Sequence, residues 1–353
     1  MKKIFSFVFL LIFASVAGCS QGAGTSNGSS EGSNSSKADV IEWDLSLWGG
    51  PREWTTTVED WAEEMNKRTE GRWKITIHYG EAISSATDNL QGIEDGLFEA
   101  AAVAPMYTPG VLPLNEVIGL PFLSPLDHEH LSLFQKAAWE HPALLEELEQ
   151  HNAVPLLHSV PSQYNYTGKV KIEKVEDFEG VRIAGMDASQ GRVFEKFGAV
   201  PNPMPAPDLY SSLDRGTIDG VIFPYTYGHV AYGFHEVSKY TTTGIAAGTP
   251  ASFYIANKAA WDALPDDIKE IHNEYMNDWH KISSAPYYEA DEKNLPMFKE
   301  NLEHTELPES ERQKLLDASE EIWQEWVDKY ADRGPTQDIL DYMLEKRNEI
   351  AGF

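Results

Sequence analysis

The chain has 353 residues, with 28 Lys and Arg against 56 Asp and Glu, a formal net charge of −28. A surface this acidic repels phosphate backbones and anionic headgroups, which excludes nucleic acid and charged lipid surfaces as partners. A single cysteine, Cys19, excludes an internal disulfide and a multi-thiolate zinc site, so stability must come from the core that a 42% hydrophobic content can build.

Lys2 and Lys3 precede an apolar run from Ile4 to Ala17, which is too short for a hydrocarbon layer of roughly 30 Å. A positive start, a short apolar stretch and small residues before a cut site predict an export signal. Val16-Ala17-Gly18-Cys19 resembles a bacterial lipobox, which implies cleavage after residue 18 and a lipid on Cys19. Residues 19–38 are nearly all Ser, Gly, Asn and Ala and cannot bury enough apolar surface to fold, so they are expected to form a tether.

From Ile41 the periodicity alternates. Ile41, Trp43, Leu45 and Leu47 read as a strand. Thr55, Thr56 or Thr57 can cap a helix carrying Val58, Trp61, Ala62 and Met65, which Glu70-Gly71 stops. Trp73, Ile75 and Ile77 form a second strand. Ser84 or Ser85 opens a helix to Gly96, and Ala100 to Ala104 reads as a buried strand. This β-α-β-α-β order predicts parallel strands. A second such unit follows: strand 181–184, helix 188–197, helix 208–215 and strand 218–223. Ile93-Glu94-Asp95-Gly96 before Ala100 parallels Leu213-Asp214-Arg215-Gly216 before Gly220. Ser252 to Asn257 reads as a strand returning to the first sheet, and helical patterns dominate from Asp266. The expected architecture is two α/β lobes, residues 39–160 plus 248–287 and residues 161–247 plus 288–353, with a cleft between them and a helical C-terminal region. Small ligands bind in such clefts.

Enzymatic signatures are weak. Gly24-Thr25-Ser26-Asn27-Gly28 matches the serine-hydrolase elbow but lies in the tether, without the strand and helix that chemistry needs. Asp127-His128-Glu129-His130 lacks metal-ligand spacing and reads as a solvated helix start. No P-loop or dinucleotide glycine motif follows a strand. Neither a cofactor nor a metal is expected.

Several motifs, in order, resemble the substrate-binding proteins of tripartite ATP-independent periplasmic (TRAP) transporters, the dicarboxylate-binding family. They are Glu70-Gly71-Arg72-Trp73-Lys74-Ile75, Gly119-Leu120-Pro121-Phe122-Leu123, Asp177-Phe178-Glu179-Gly180-Val181-Arg182-Ile183, Gly198-Ala199-Val200-Pro201-Asn202-Pro203-Met204 and the run from Tyr210 to Gly220. The resemblance implies a periplasmic-binding-protein-like fold, each lobe a mixed, mostly parallel sheet flanked by helices. It further implies a monomeric, non-enzymatic receptor outside the cytoplasm that closes on a small organic acid and delivers it to a membrane permease pair. A sensor for a signalling receptor shares the architecture, and a lipid-anchored hydrolase is the reading from another class.

Arg182 matches the family arginine that clamps the ligand carboxylate, since a guanidinium fork fits a carboxylate with two prongs. Elsewhere the chain departs from the family's sugar-acid and dicarboxylate binders. Pro161-Ser162-Gln163-Tyr164-Asn165-Tyr166 stands where some carry a second arginine, Phe223 where some carry asparagine, and Ala104 near a glutamate. Fewer polar groups and more rings suggest a monocarboxylate with an apolar or aromatic body. Trp48, at a strand's carboxyl end beside Gly49-Gly50, and Tyr107, Tyr164, Phe223 and Tyr225 are the candidate walls.

Overall fold

A computed structural model describes residues 40–159 and 162–352. The expected signal, the expected lipid site at Cys19 and the expected tether lie outside the described residues.

The first half of the folded body is built on β1 (Ile41–Ser46), α1 (Glu53–Arg68), β2 (Trp73–His78), α2 (Asn89–Glu94) and β3 (Ala100–Val103). Trp43 and Leu45 face inward while Glu42 and Asp44 face solvent, the period-2 pattern of a half-buried strand. β1 pairs in parallel with β2 and with β3, as the alternation predicts. α1 begins at Glu53, before the threonines expected to cap it. Arg52 is the extended residue ahead of the first turn, and its N–H donates to Thr55 Oγ1 at 3.0 Å. α2 is shorter than expected because Ser85 turns its hydroxyl to the Asp88 carboxylate at 2.6 Å, a local bond that competes with helix.

α3 (His128–Ala138), α4 (Pro142–Gln150) and β4 (Ala153–His158) follow. Asp127 caps α3 through the N–H groups of Glu129 and His130. His128 is not solvated, contrary to the sequence reading. It is buried, with Nε2 3.1 Å from Asp291 Oδ2.

The chain then builds a second sheet from β5 (Tyr164–Gly168), β6 (Arg182–Ala184), α5 (Ala188–Glu195), β7 (Val200–Pro201), α6 (Ala206–Asp214), β8 (Gly220–Pro224), α7 (Tyr227–Ala231) and β9 (Tyr240–Thr243). β10 (Phe253–Asn257) returns to the first sheet as expected, inserting antiparallel between β3 and β4. After it come α8 (Lys258–Asp262), α9 (Asp266–Met276), α10 (Trp279–Asn301), β11 (Glu303–Glu306), α11 (Glu309–Lys329) and α12 (Thr336–Ala351). The strand orders are β2-β1-β3-β10-β4 and β11-β9-β5-β8-β6-β7. In the second sheet β5 runs antiparallel to β8 and β9 while β6 is parallel to β7 and β8.

α10 ties the two sheets together. Trp279 at its start donates its indole N–H to His158 O at 2.7 Å beside the first sheet. Phe298 near its end packs on Tyr225 beside the second, with ring centroids 5.4 Å apart. The C-terminal helices lean on both cores rather than on the second lobe alone. Leu315 and Ile322 pack with Phe178 and Phe194, whereas Trp326, Ile339 and Met343 pack with Phe134 and Phe253. Tyr210, on α6, is 36% exposed.

Candidate ligand-binding site

Where the carboxyl ends of β1, β3, β6 and β8 meet the amino end of β5, they line an open cavity of about 610 Å³, counting space open to solvent. Open α/β sheets bind ligands at the carboxyl ends of their strands. From the first sheet come Trp48, Arg52 and Trp54 after β1, and Met106 and Tyr107 after β3. From the second come Tyr164 on β5, Gly185 after β6, Phe223 on β8, and Tyr227 and Tyr232 around α7.

The rings form two walls. Trp48 lies 4.7 Å from Trp54 and meets Tyr107 edge-on at 5.4 Å. Trp54 is fixed behind the wall: its indole N–H donates to Ser159 Oγ at 2.7 Å, and its ring stacks on Tyr254 at 5.4 Å. Opposite, Tyr164 and Phe223 are stacked at 6.4 Å, and Tyr232 meets Phe223 edge-on at 5.4 Å. Gly185, at φ +97°, lets Phe223 close in, because a Cβ there would lie 2.8 Å from Ile222 O and 3.1 Å from the Phe223 ring. Behind Phe223, His229 Nε2 donates to the Phe223 carbonyl at 3.1 Å and Nδ1 accepts from Thr167 Oγ1 at 2.8 Å. Burial lowers the His229 pKa to about 3, so it is neutral. Burial also pushes the Tyr107, Tyr164 and Tyr227 hydroxyls well above the ordinary tyrosine value, leaving them protonated.

Among the described residues, one cation, Arg52, faces this cavity. Arg52 Nη1 donates to Trp48 O at 3.2 Å and Gly50 O at 2.7 Å, and its Cζ sits 4.6 Å from the Trp54 ring centroid. It pairs with no carboxylate among the described residues, so its charge is held by carbonyls and a ring and is available to an anion. α1 begins at the next residue, which places the positive end of that helix dipole beside the guanidinium.

Four of the residues singled out in the sequence, Trp48, Tyr107, Tyr164 and Phe223, are brought together here. Two are not. Arg182 does not line the cavity. It opens β6, three residues and roughly 10 Å of extended chain before Gly185. Its guanidinium is committed to Asp219, Nε to Oδ2 at 2.8 Å and Nη2 to Oδ1 at 2.6 Å. The clamp expected for a ligand carboxylate thus closes on the protein's own carboxylate. Tyr225 is also elsewhere. β8 ends at Pro224, and the Tyr225 hydroxyl turns to Thr241 Oγ1 at 2.7 Å, within a small core with Phe298. Sequence reasoning missed Arg52, Trp54, Tyr227 and Tyr232. Arg52 could have been found, since it follows Trp48 by four residues at the same strand end.

Two sheets with a ring-lined cavity at their facing strand ends make a two-lobed solute-binding fold. The chain belongs to the family described as bacterial extracellular solute-binding protein, family 7 (DctP), the TRAP solute-binding family, whose profile matches residues 48–329. It is similar to a solute-binding protein of Chromohalobacter salexigens, 23% identical across 83% of this chain and 81% of that protein. It also resembles the ectoine/5-hydroxyectoine-binding periplasmic protein of Ruegeria pomeroyi, 24% identical across 72% and 76%. Among solved structures, it superposes on a TRAP solute-binding protein from Rhodoferax ferrireducens in complex with copurified benzoate, with TM-score 0.77, 21% identity and 89% and 99% coverage. A TRAP periplasmic solute-binding protein from Desulfovibrio salexigens, in an open complex, gives TM-score 0.77, 22% identity and 88% and 97% coverage. Members of this family are binding proteins rather than enzymes and act outside the cytoplasm.

Proposed function

We propose that this chain captures a small monocarboxylate with an aromatic or apolar body and delivers it to a TRAP-type permease. The observation that carries the reading is Arg52, an unpaired guanidinium in a cavity otherwise walled by rings and apolar side chains. Arg52 neutralises the carboxylate, the Trp48 and Trp54 wall and the Phe223 wall cover the ring, and closure of the lobes excludes water. A single cation suits a single carboxylate; a second carboxylate would enter a site of low polarity unpaired, which is costly. The ligand named with the Rhodoferax ferrireducens structure, benzoate, has this chemistry.

Titration calorimetry of the mature protein tests it. Benzoate, 3-hydroxybenzoate and mandelate are expected to bind, and succinate and sialic acid to leave the heat of dilution unchanged. Binding by succinate or ectoine with no response to any aromatic acid would overturn the reading. We also propose that Cys19 carries the lipid anchor, from the apolar run and lipobox pattern ahead of it. Labelled palmitate should enter the expressed protein, and Cys19→Ala should abolish both labelling and membrane retention.

A further inference from the structure

We propose that Gly49 is a positioning residue for the binding site: its bare α-carbon is the seat on which the Arg52 guanidinium rests. This depends on Arg52 being the anion anchor. A Cβ on Gly49 would lie 2.8 Å from Arg52 Nη1 and 3.3 Å from its Cζ. The first distance is closer than a carbon and a nitrogen can approach without one of them moving. Any yielding by Arg52 breaks what holds it, because Nη1 is hydrogen-bonded to the carbonyls on both sides of Gly49, those of Trp48 and Gly50, and the fork lies over Trp54.

The seat is itself anchored. Gly49 O accepts from Gly80 N at 2.8 Å, and Leu47 O accepts from Glu81 N at 3.0 Å, which fastens the turn after β1 to the end of β2. Gly49 adopts φ +70°, the left-handed region where it turns two carbonyls toward one guanidinium. The site therefore presents its charge already oriented, and an arriving carboxylate need not order a long side chain. Gly216, after α6 in the second half of the chain, is the control: it is also left-handed, at φ +74°, but a Cβ there meets nothing within 4 Å.

The test compares Gly49→Ala, Gly49→Asn and Gly216→Asn, using benzoate calorimetry and mass-mapped modification of arginines by phenylglyoxal. Asparagine tolerates the left-handed backbone but carries the Cβ, so it separates the contact from backbone strain. Both Gly49 variants are expected to weaken benzoate binding by about tenfold or more, a loss of ~1.4 kcal/mol. They should also speed modification of Arg52 relative to the other arginines, while Gly216→Asn does neither. In an Arg52→Ala background, Gly49→Ala should cost no further affinity, as coupled neighbours require. Wild-type affinity and Arg52 reactivity in Gly49→Asn, or an equal loss in Gly216→Asn, would overturn the proposal. A wild-type protein that ignores benzoate while Gly49→Asn still speeds Arg52 modification sinks the ligand reading and upholds the seat.

Discussion

Arg182 and Asp219 form a two-pronged ion pair at the start of β6, reinforced by the Arg182 backbone N–H donating to Asp219 Oδ2 at 2.9 Å. The pair holds the Asp219 carboxyl below the ordinary carboxylate range. Its contribution to stability is present above that range and is lost as pH falls through the folded-state value. The Arg182 side chain is 43% exposed, so solvent screening keeps the contribution of the pair small. Arg182→Ala is expected to lower the urea midpoint slightly at neutral pH while leaving benzoate affinity unchanged in calorimetry. A large affinity loss in that variant would return Arg182 to the site.

Arg52→Ala should do the reverse. Removing this cation is expected to cost about 2–5 kcal/mol of binding free energy, since the ligand carboxylate would then be buried unpaired. Arg52→Lys should recover only part of it, because an ammonium cannot reproduce the planar fork or its stack on Trp54. The melting temperature of either variant should stay near that of the wild type.

Phe223→Ala tests the opposite wall. An aromatic pair is worth about 0.5–1.5 kcal/mol beyond the area it buries. Benzoate should therefore weaken more than propionate, which offers no ring. Equal losses for both acids would show that Phe223 supports the wall without touching the ligand.

Three buried histidines set the acid response. Burial lowers the pKa of His158 and His229 to about 3 and of His272 to about 4. Each is neutral in the folded state, while the unfolded chain takes up a proton near the ordinary histidine value of about 6.5. Unfolding thus binds protons in this window, so stability is complete above that value and falls as pH drops toward 4. Urea unfolding at pH 7.5, 6 and 5 should show the decline, and His229→Asn should reduce its slope. A free energy independent of pH across that window would contradict these assignments.

Local pattern decided much of this molecule. The alternation of Trp43 and Leu45 with Glu42 and Asp44, the helical stripe of Val58, Trp61 and Met65, and the strand that returns at Phe253 all follow from short-range periodicity. Those elements appear where the periodicity places them. Trp48, Tyr107, Tyr164 and Phe223 were recoverable because each stands at or just after a strand, near where facing sheets leave a cavity. What only the tertiary structure decided was the destination of charge. Arg182 opens β6 and Arg52 stands just before α1, and no property of their own neighbours says which one is neutralised. Asp219 lies 37 residues beyond Arg182 and reaches it because β8 pairs with β6. Arg52 stays unpaired because the turn around Gly49 offers it carbonyls and Trp54 offers it a ring. An ion pair is set by distances across the fold, and those exist only once the strands have chosen their neighbours.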